Sequence, residues 1–359
     1  MRGIRELGVV LGRLPPGTHN AITDVPGVLV GHSTLVVDQP RTVRTGITVV
    51  FPRADIWTDY AACGWFNFNG NGEMTGIPWI EESGLLGSPI GITNTHQVGL
   101  VRDTMIKFAV DQGVLDGFML PVVAETYDGW LSDINAFALT EDHARAALSS
   151  ADSGPVAEGN VGGGTGMICH EFKGGIGTAS RVIEGADYSH TVGILVQANY
   201  GSRGDLRIDG VPVGRALFYD QVPAPWTTER SQGSIIIVMA TDAPLTSDQC
   251  RRLARRGTVG LARVGGIGHN GSGDIFIAFS TANHFPADHH HAPYELKALP
   301  PDHFDALFTA VIESTEEAIL NALCAAETMT GFKGRIAHAL PLGRVAELLE
   351  GSGRSAAPG

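Results

Sequence analysis

The chain has 359 residues, 43 % of them hydrophobic, and a formal net charge of -13. That is enough apolar material for one large core or two medium ones, and an acidic balance lacks the basic footprint of a nucleic-acid binder. Glycine is the outlier at 47 residues, dispersed rather than periodic. This excludes collagen-like and flexible-linker readings and points to a turn-rich, many-stranded protein.

The N-terminal stretch MRGIRELGVVLGRLPPG has charges close to a short apolar run, without the long apolar core and small-residue cleavage site of a secretion signal. No stretch reaches the ~20 apolar residues of a membrane span. Cys63, Cys169, Cys250 and Cys324 lie far apart and form no paired metal or redox motif. A soluble protein of a reducing compartment, the cytoplasm, is expected, with no membrane or nucleic-acid partner.

Strand-length runs rich in β-branched residues and bounded by Gly, Pro, Asn or Asp are predicted at Gly27 to Val37, Thr45 to Pro52, His190 to Asn199, Gly233 to Thr241 and Asp274 to Thr281. Helical spacing falls between them. Val98, Val101, Met105, Phe108 and Ala109 mark one face within Thr95 to Gly113. A second helix begins at an N-cap, Thr246 or Ser247. The stretch from Pro301 to Met329 reads as one long helix or two. His284 to His303 reads as a surface excursion, and Gly351 to Gly359 as a tail. Strands and helices alternate without a linker or repeat, so a layered α/β or α+β fold in a single domain is expected.

Several stretches invite chemistry. Ala157 to Arg181 is glycine-rich, but it lacks the Gly-Lys-Ser/Thr of a phosphate loop and the full dinucleotide fingerprint, so tight turns are the simpler reading. Asp288 to His291 could chelate at the surface, but no second cluster supports a metal; a solvated loop is simpler. His96 could be a base or a structural histidine. Arg251, Arg252, Arg255 and Arg256 read as a solvated helix face. Ser272 and Asp274 stand two apart just before a strand, where a catalytic pair competes with a polar turn. The turn Gln232-Gly233-Ser234 opens directly onto an apolar strand, and leaves open whether Ser234 is simply a turn residue or is meant to become a chain end.

Four ordered segments, PVVAETYDGWLSDIN (from Pro121), EGNVGGGTGMICHEFKGGIGTASR (from Glu158), GSIIIVMATDAPL (from Gly233) and NGSGDIFIAFST (from Asn270), together resemble the DmpA family of L-aminopeptidase/D-esterases and β-peptidyl aminopeptidases. The resemblance covers nearly the whole chain. It implies a four-layer αββα sandwich, similar to the N-terminal nucleophile hydrolases with different connectivity. It also implies self-cleavage between Gly233 and Ser234 into an α chain, 1-233, and a β chain, 234-359, assembled as a homo-oligomer, a tetramer of αβ units. By position, Ser234 would be the nucleophile, Ser272 and Asp274 its polar partners, and Asn199 the oxyanion donor. Tyr127 would hydrogen-bond near the nucleophile, and Glu125 would hold the substrate ammonium. Some relatives carry Glu where this chain has Asp274. The substrate would be a small peptide, amide or ester with a free amine, and no cofactor or metal is implied. Physical chemistry suits such a design. Serine needs a base, and a free α-amine with a reference pKa of ~7.7–8.0 supplies one only after the peptide bond is cut. The alternatives are an acyltransferase of the ornithine acetyltransferase type, which Ser in place of Thr argues against, and a processed, non-catalytic scaffold.

Overall fold

The structure is a computed structural model that describes residues 3–115, 117–226, 233–288 and 292–353. His289 to His291, Gln232 and most of the C-terminal tail therefore lie outside the described residues. The chain runs β1 (Leu29–Val37), β2 (Val43–Phe51), β3 (Asp59–Gly70), α1 (Ile77–Ser83), β4 (Leu85–Leu86), β5 (Ile90–Asn94), α2 (Val98–Asp111), β6 (Val122–Thr126) and α3 (Glu141–Ser149). The short strands β7 (Ile168–Cys169) and β8 (Phe172–Lys173) follow, then β9 (Gly175–Glu184), β10 (Ser189–Asn199), α4 (Val213–Ala216), β11 (Ser234–Thr241), α5 (Ser247–Val264) and β12 (Gly273–Pro286). The chain closes with α6 (Phe304–Ala325), β13 (Met329–Thr330), β14 (Ile336–Ala337) and α7 (Leu342–Gly351).

Two sheets carry the fold, one in the order β1-β2-β5-β6 and one in the order β4-β3-β12-β11-β10-β9. The period of two along β11 explains how they stack. Ile236, Val238 and Ala240 meet Ile90, Ile92, Val122 and Ala124 of the smaller sheet. Ile235, Ile237 and Met239 point the other way, into Leu253, Leu261, Leu307 and Val311 of α5 and α6. The outer face of the smaller sheet, through Ile47, Val49 and Val123, packs on Val101 and Met105 of α2 and Ala147 of α3. Helices, sheet, sheet and helices form the expected four layers. Buried on both faces, β11 reads as a continuous apolar run.

α5 connects the parallel neighbours β11 and β12. Its start is the expected cap: Thr246 Oγ1 accepts from Gln249 N–H at 3.4 Å, while Gln249 Oε1 accepts from Thr246 N–H at 3.1 Å. Gly265, at φ +105°, ends it. Its arginines are not simply solvated. Arg252 lies 4.2 Å over Phe304 and Arg256 3.8 Å over Phe308, so their charges cap aromatic rings of α6. Two further expectations change. α6 is one helix and stops at Ala325, with Ala326 extended. The presumed excursion at His284 begins as strand, because β12 pairs Phe285 with Tyr60 beyond an irregularity in the ladder. The glycine-rich stretch is packing: a Cβ on Gly163 would lie 2.0 Å from Gln197 Oε1, and one on Gly164 2.4 Å from Ile176 N. All four cysteines are buried and free. Among the described residues, no helix is long and apolar enough to cross a membrane.

Candidate active site

Register brings distant sequence together at one end of the larger sheet. Asn199, the last residue of β10, pairs with Ser234, the first of β11, and Ser234 pairs with Gly273, the first of β12. Three strand ends thus meet at the Ser234 hydroxyl, which is 5 % exposed as a residue and accepts from Gly273 N–H at 3.2 Å. Ser272 and Asp274 flank that glycine. Ser272 Oγ donates to Asp274 Oδ1 at 2.6 Å, so the i, i+2 pair does converge. Burial pushes the Asp274 carboxyl up to about 6, although the Ser272 hydroxyl, the Ile235 N–H and His269 all pull it down.

Asn199 is held by both ends of its amide. Oδ1 accepts from Ile168 N–H at 2.8 Å, and Nδ2 donates to the Tyr127 carbonyl at 3.0 Å. The second Nδ2 hydrogen is left for another acceptor. Tyr127 therefore enters the site through its backbone. Its side chain is 41 % exposed, with the hydroxyl lying over Gly129, where a Cβ would come within 2.2 Å of it. Gly233 has no room for a side chain: a Cβ there would sit 2.6 Å from Asn199 O and 2.7 Å from Tyr200 Cα.

Glu125 comes from the end of β6 in the other sheet. It is buried, and its oxygens accept from Glu73 N–H at 3.1 Å and from the Thr95 hydroxyl. Gly72 links it to the start of β12, since a Cβ on that residue would touch both Glu125 Oε1, at 3.2 Å, and Gly273 Cα, at 3.1 Å. Burial raises the Glu125 carboxyl, against the pull of Thr95 and Glu73 N–H. His96 is exposed and stacks on Phe137, with ring centroids 5.8 Å apart.

Sequence reasoning missed three contributors. Gly273 supplies the N–H to Ser234, but a glycine inside a turn motif gives no sign of which donor it presents. Thr95 clamps Glu125. Asp128, three residues after Glu125, is fully buried, and burial lifts its carboxyl to about 7 despite Thr45 and Asn94 facing it, with the Glu125 charge adding to the rise. It stood in plain view inside ETYDG, yet nothing local announces its burial.

A carboxylate-linked serine, a second serine under backbone N–H, an oriented amide and a separate buried carboxylate can together support acyl transfer to Ser234. Comparison with known proteins points the same way. A family model described as Peptidase family S58 matches residues 20–337. The chain is 46 % identical to beta-peptidyl aminopeptidase BapA of Sphingosinicella microcystinivorans, over 98 % of this chain and 93 % of that protein. Among solved structures, a Burkholderia sp. beta-aminopeptidase aligns with TM-score 0.92 and 48 % identity over 98 % of this chain and 99 % of that one. The L-aminopeptidase D-Ala-esterase/amidase of Ochrobactrum anthropi, described as a prototype for the serine aminopeptidases and a new variant among the Ntn hydrolase fold, aligns with TM-score 0.92 and 45 % identity over 99 % of both chains.

Proposed function

The chain belongs to peptidase family S58, and from that premise we propose a self-processing serine aminopeptidase in which Ser234 first cuts its own chain and then attacks substrate. The family makes the protein a hydrolase of the aminopeptidase, amidase or esterase kind. The observation that carries the finer reading is the meeting of Ser234 Oγ, Gly273 N–H and the Ser272–Asp274 pair at the start of β11, directly after a glycine that tolerates no Cβ.

In the intact chain, Asp274 takes the Ser234 hydroxyl proton, through Ser272, as Oγ bonds to the Gly233 carbonyl carbon. The free Nδ2 hydrogen of Asn199 supports the negative oxygen that forms. Collapse breaks the Gly233–Ser234 C–N bond, and the proton passes to the departing nitrogen. One water then hydrolyses the ester, leaving a Gly233 carboxylate and a free α-amine on Ser234. In turnover that amine takes the Oγ proton as Ser234 attacks the substrate carbonyl. It returns the proton to the leaving amine or alcohol, and water releases the acyl group. Glu125 pairs with the substrate ammonium, by a charge-assisted contact, and the Tyr127 phenol lines the mouth.

The names of the relatives support short peptides led by β-amino acids, together with amino acid amides and esters, as substrates. We place the enzyme in the cytoplasm as a homo-oligomer of αβ units, with four buried free thiols supporting a reducing compartment. Light scattering that returns a lone αβ unit at micromolar concentration would refute the assembly. The test of function is intact mass under denaturing conditions with N-terminal sequencing. Two chains are expected, the second beginning at Ser234, and Ser234→Ala should remain whole and inactive. A full-length mass with full activity overturns the reading.

A further inference from the structure

The amide of Asn199 can serve an oxyanion only while it is held still, and its oxygen is held by the N–H of Ile168. The hairpin that presents this N–H is built against local preference. β7 and β8 pair Ile168 with Lys173 and Cys169 with Phe172, so His170 and Glu171 form a two-residue turn. Both sit at positive φ, +49° and +62°, where glycine or asparagine is the usual occupant of so tight a hairpin. Such a turn persists when its surroundings hold it.

The tip is held by the chain that follows Asn199. His170 N–H donates to Tyr200 O at 2.6 Å, its Nδ1–H donates to Ser202 O at 3.0 Å, and Arg203 donates to Glu171 O at 2.7 Å. The base is held by Lys173, which is fully buried. Its Nζ donates to Gly174 O at 2.7 Å and to Gly164 O at 3.2 Å. Gly164 precedes Met167 and Ile168, and Gly174 follows β8, so one amine staples the two legs of the hairpin together. Two main-chain bonds run beside it, from Gly174 N–H to Met167 O at 2.8 Å and from Met167 N–H to Gly164 O at 3.3 Å. The acceptors of Nζ are carbonyls rather than a carboxylate, and burial pushes the ammonium down to about 7. Burying an amine in this way is unfavourable for the lysine itself. What it secures is the placement of the segment that carries the Ile168 N–H.

We infer that Lys173 is a positioning residue for the oxyanion donor: by stapling the two legs of the β7–β8 hairpin it keeps Ile168 N–H on Asn199 Oδ1, and so keeps the second Nδ2 hydrogen of Asn199 aimed at the oxygen that becomes negative. Because self-cleavage and turnover share that donor, Lys173 serves both. This inference rests on the assignment of Asn199 as the oxyanion donor.

The test is a double-mutant cycle between Lys173→Met and Asn199→Ala. Self-cleavage is followed after cell-free synthesis by denaturing mass spectrometry, and hydrolysis of a small amino acid amide is measured on the cleaved fraction. Asn199→Ala should slow both reactions by about 10²- to 10³-fold. Lys173→Met, which keeps the apolar stem and removes the donors, should slow both by roughly ten- to hundredfold, in kcat with KM unchanged. In the Asn199→Ala background the same substitution should change either rate by less than about twofold, because the amide it orients is gone. If Lys173→Met is insoluble, His170→Asn removes the ring contact with Ser202 O, keeps a residue suited to positive φ, and is read in the same way. Wild-type rates in the Lys173→Met protein overturn the inference. So does an equal loss with and without Asn199, which marks a general structural role. Wild-type rates in Asn199→Ala remove the donor assignment, and the inference with it.

Discussion

Self-cleavage and hydrolysis should titrate differently, because the base differs between them. Before the cut, the nitrogen of Ser234 is an amide and the proposed base is Asp274, whose carboxyl is held at about 6. Below that pH the ionised fraction falls about tenfold per pH unit, so cleavage at pH 5 should run at about a tenth of its plateau. Asp274→Asn should remove the bend and lower the plateau by about 10²- to 10⁴-fold, the usual contribution of a positioned base. The same shift bears on stability. A carboxyl whose folded pKa lies above its unfolded value of 3.8 leaves the fold most stable below that value, and stability is lost as pH rises to about 6. The full loss is about 3 kcal/mol. In a Ser234→Ala background, where no cleavage interferes, Asp274→Asn should therefore raise stability at pH 7.5 by up to that amount. The assays are quenched time courses of the precursor mass between pH 5 and pH 8, and urea unfolding of the uncut variants. Cleavage that is flat from pH 5 to pH 7, or a bend that survives Asp274→Asn, refutes the assignment of Asp274 as the base.

Hydrolysis, by contrast, should bend near pH 8, the range of a free α-amine, with Asp274 pushing the limb up and burial pushing it down; a pre-steady-state acylation rate that is flat from pH 6 to pH 9 would count against the amine. Gly233→Ala should slow self-cleavage at least tenfold, since its Cβ must displace main-chain atoms at 2.6 and 2.7 Å and such overpacking costs about 1–3 kcal/mol; wild-type cleavage in that variant, read by the same mass assay, would show that the contact is relieved at no cost to geometry. Glu125→Gln should raise KM for substrates with a free amine by about tenfold or more while leaving self-cleavage near wild type, because the precursor bond presents no ammonium; equal losses in both reactions would assign Glu125 to the framework instead.

The central strands were legible because β11, β12 and β10 are long, β-branched and bounded by turn residues. β3 and β9 were not, and the reason lies in their glycines. A Cβ on Gly64 of β3 would come 2.3 Å from Arg251 N, and one on Gly177 of β9 1.9 Å from Ala318 O. The residues that weaken a strand signal are the ones that let α5 and α6 press onto the sheet. Of the site, Ser272 and Asp274 are the pair that local spacing alone singled out. Asn199, Ser234 and Gly273 meet through strand register, which is a long-range property; resemblance assigned roles to the first two, and Gly273 was missed. Glu125 arrives from the other sheet altogether, and the burial that perturbs it and Asp128 has no local signature.

The order of the larger sheet has a consequence for what a cut before Ser234 leaves behind. β11 and β12 would belong to the second chain, yet they lie between β10 on one side and β3 on the other, both from the first. Eight paired positions join β10 to β11, from Val192 with Thr241 to Asn199 with Ser234, and β12 runs against β3 along most of its length. Neither fragment then retains the larger sheet whole. The two would be interleaved like the fingers of clasped hands, and parting them would mean unfolding both. Isotopically light and heavy preparations mixed after cleavage should therefore keep their original pairings for as long as the fold survives.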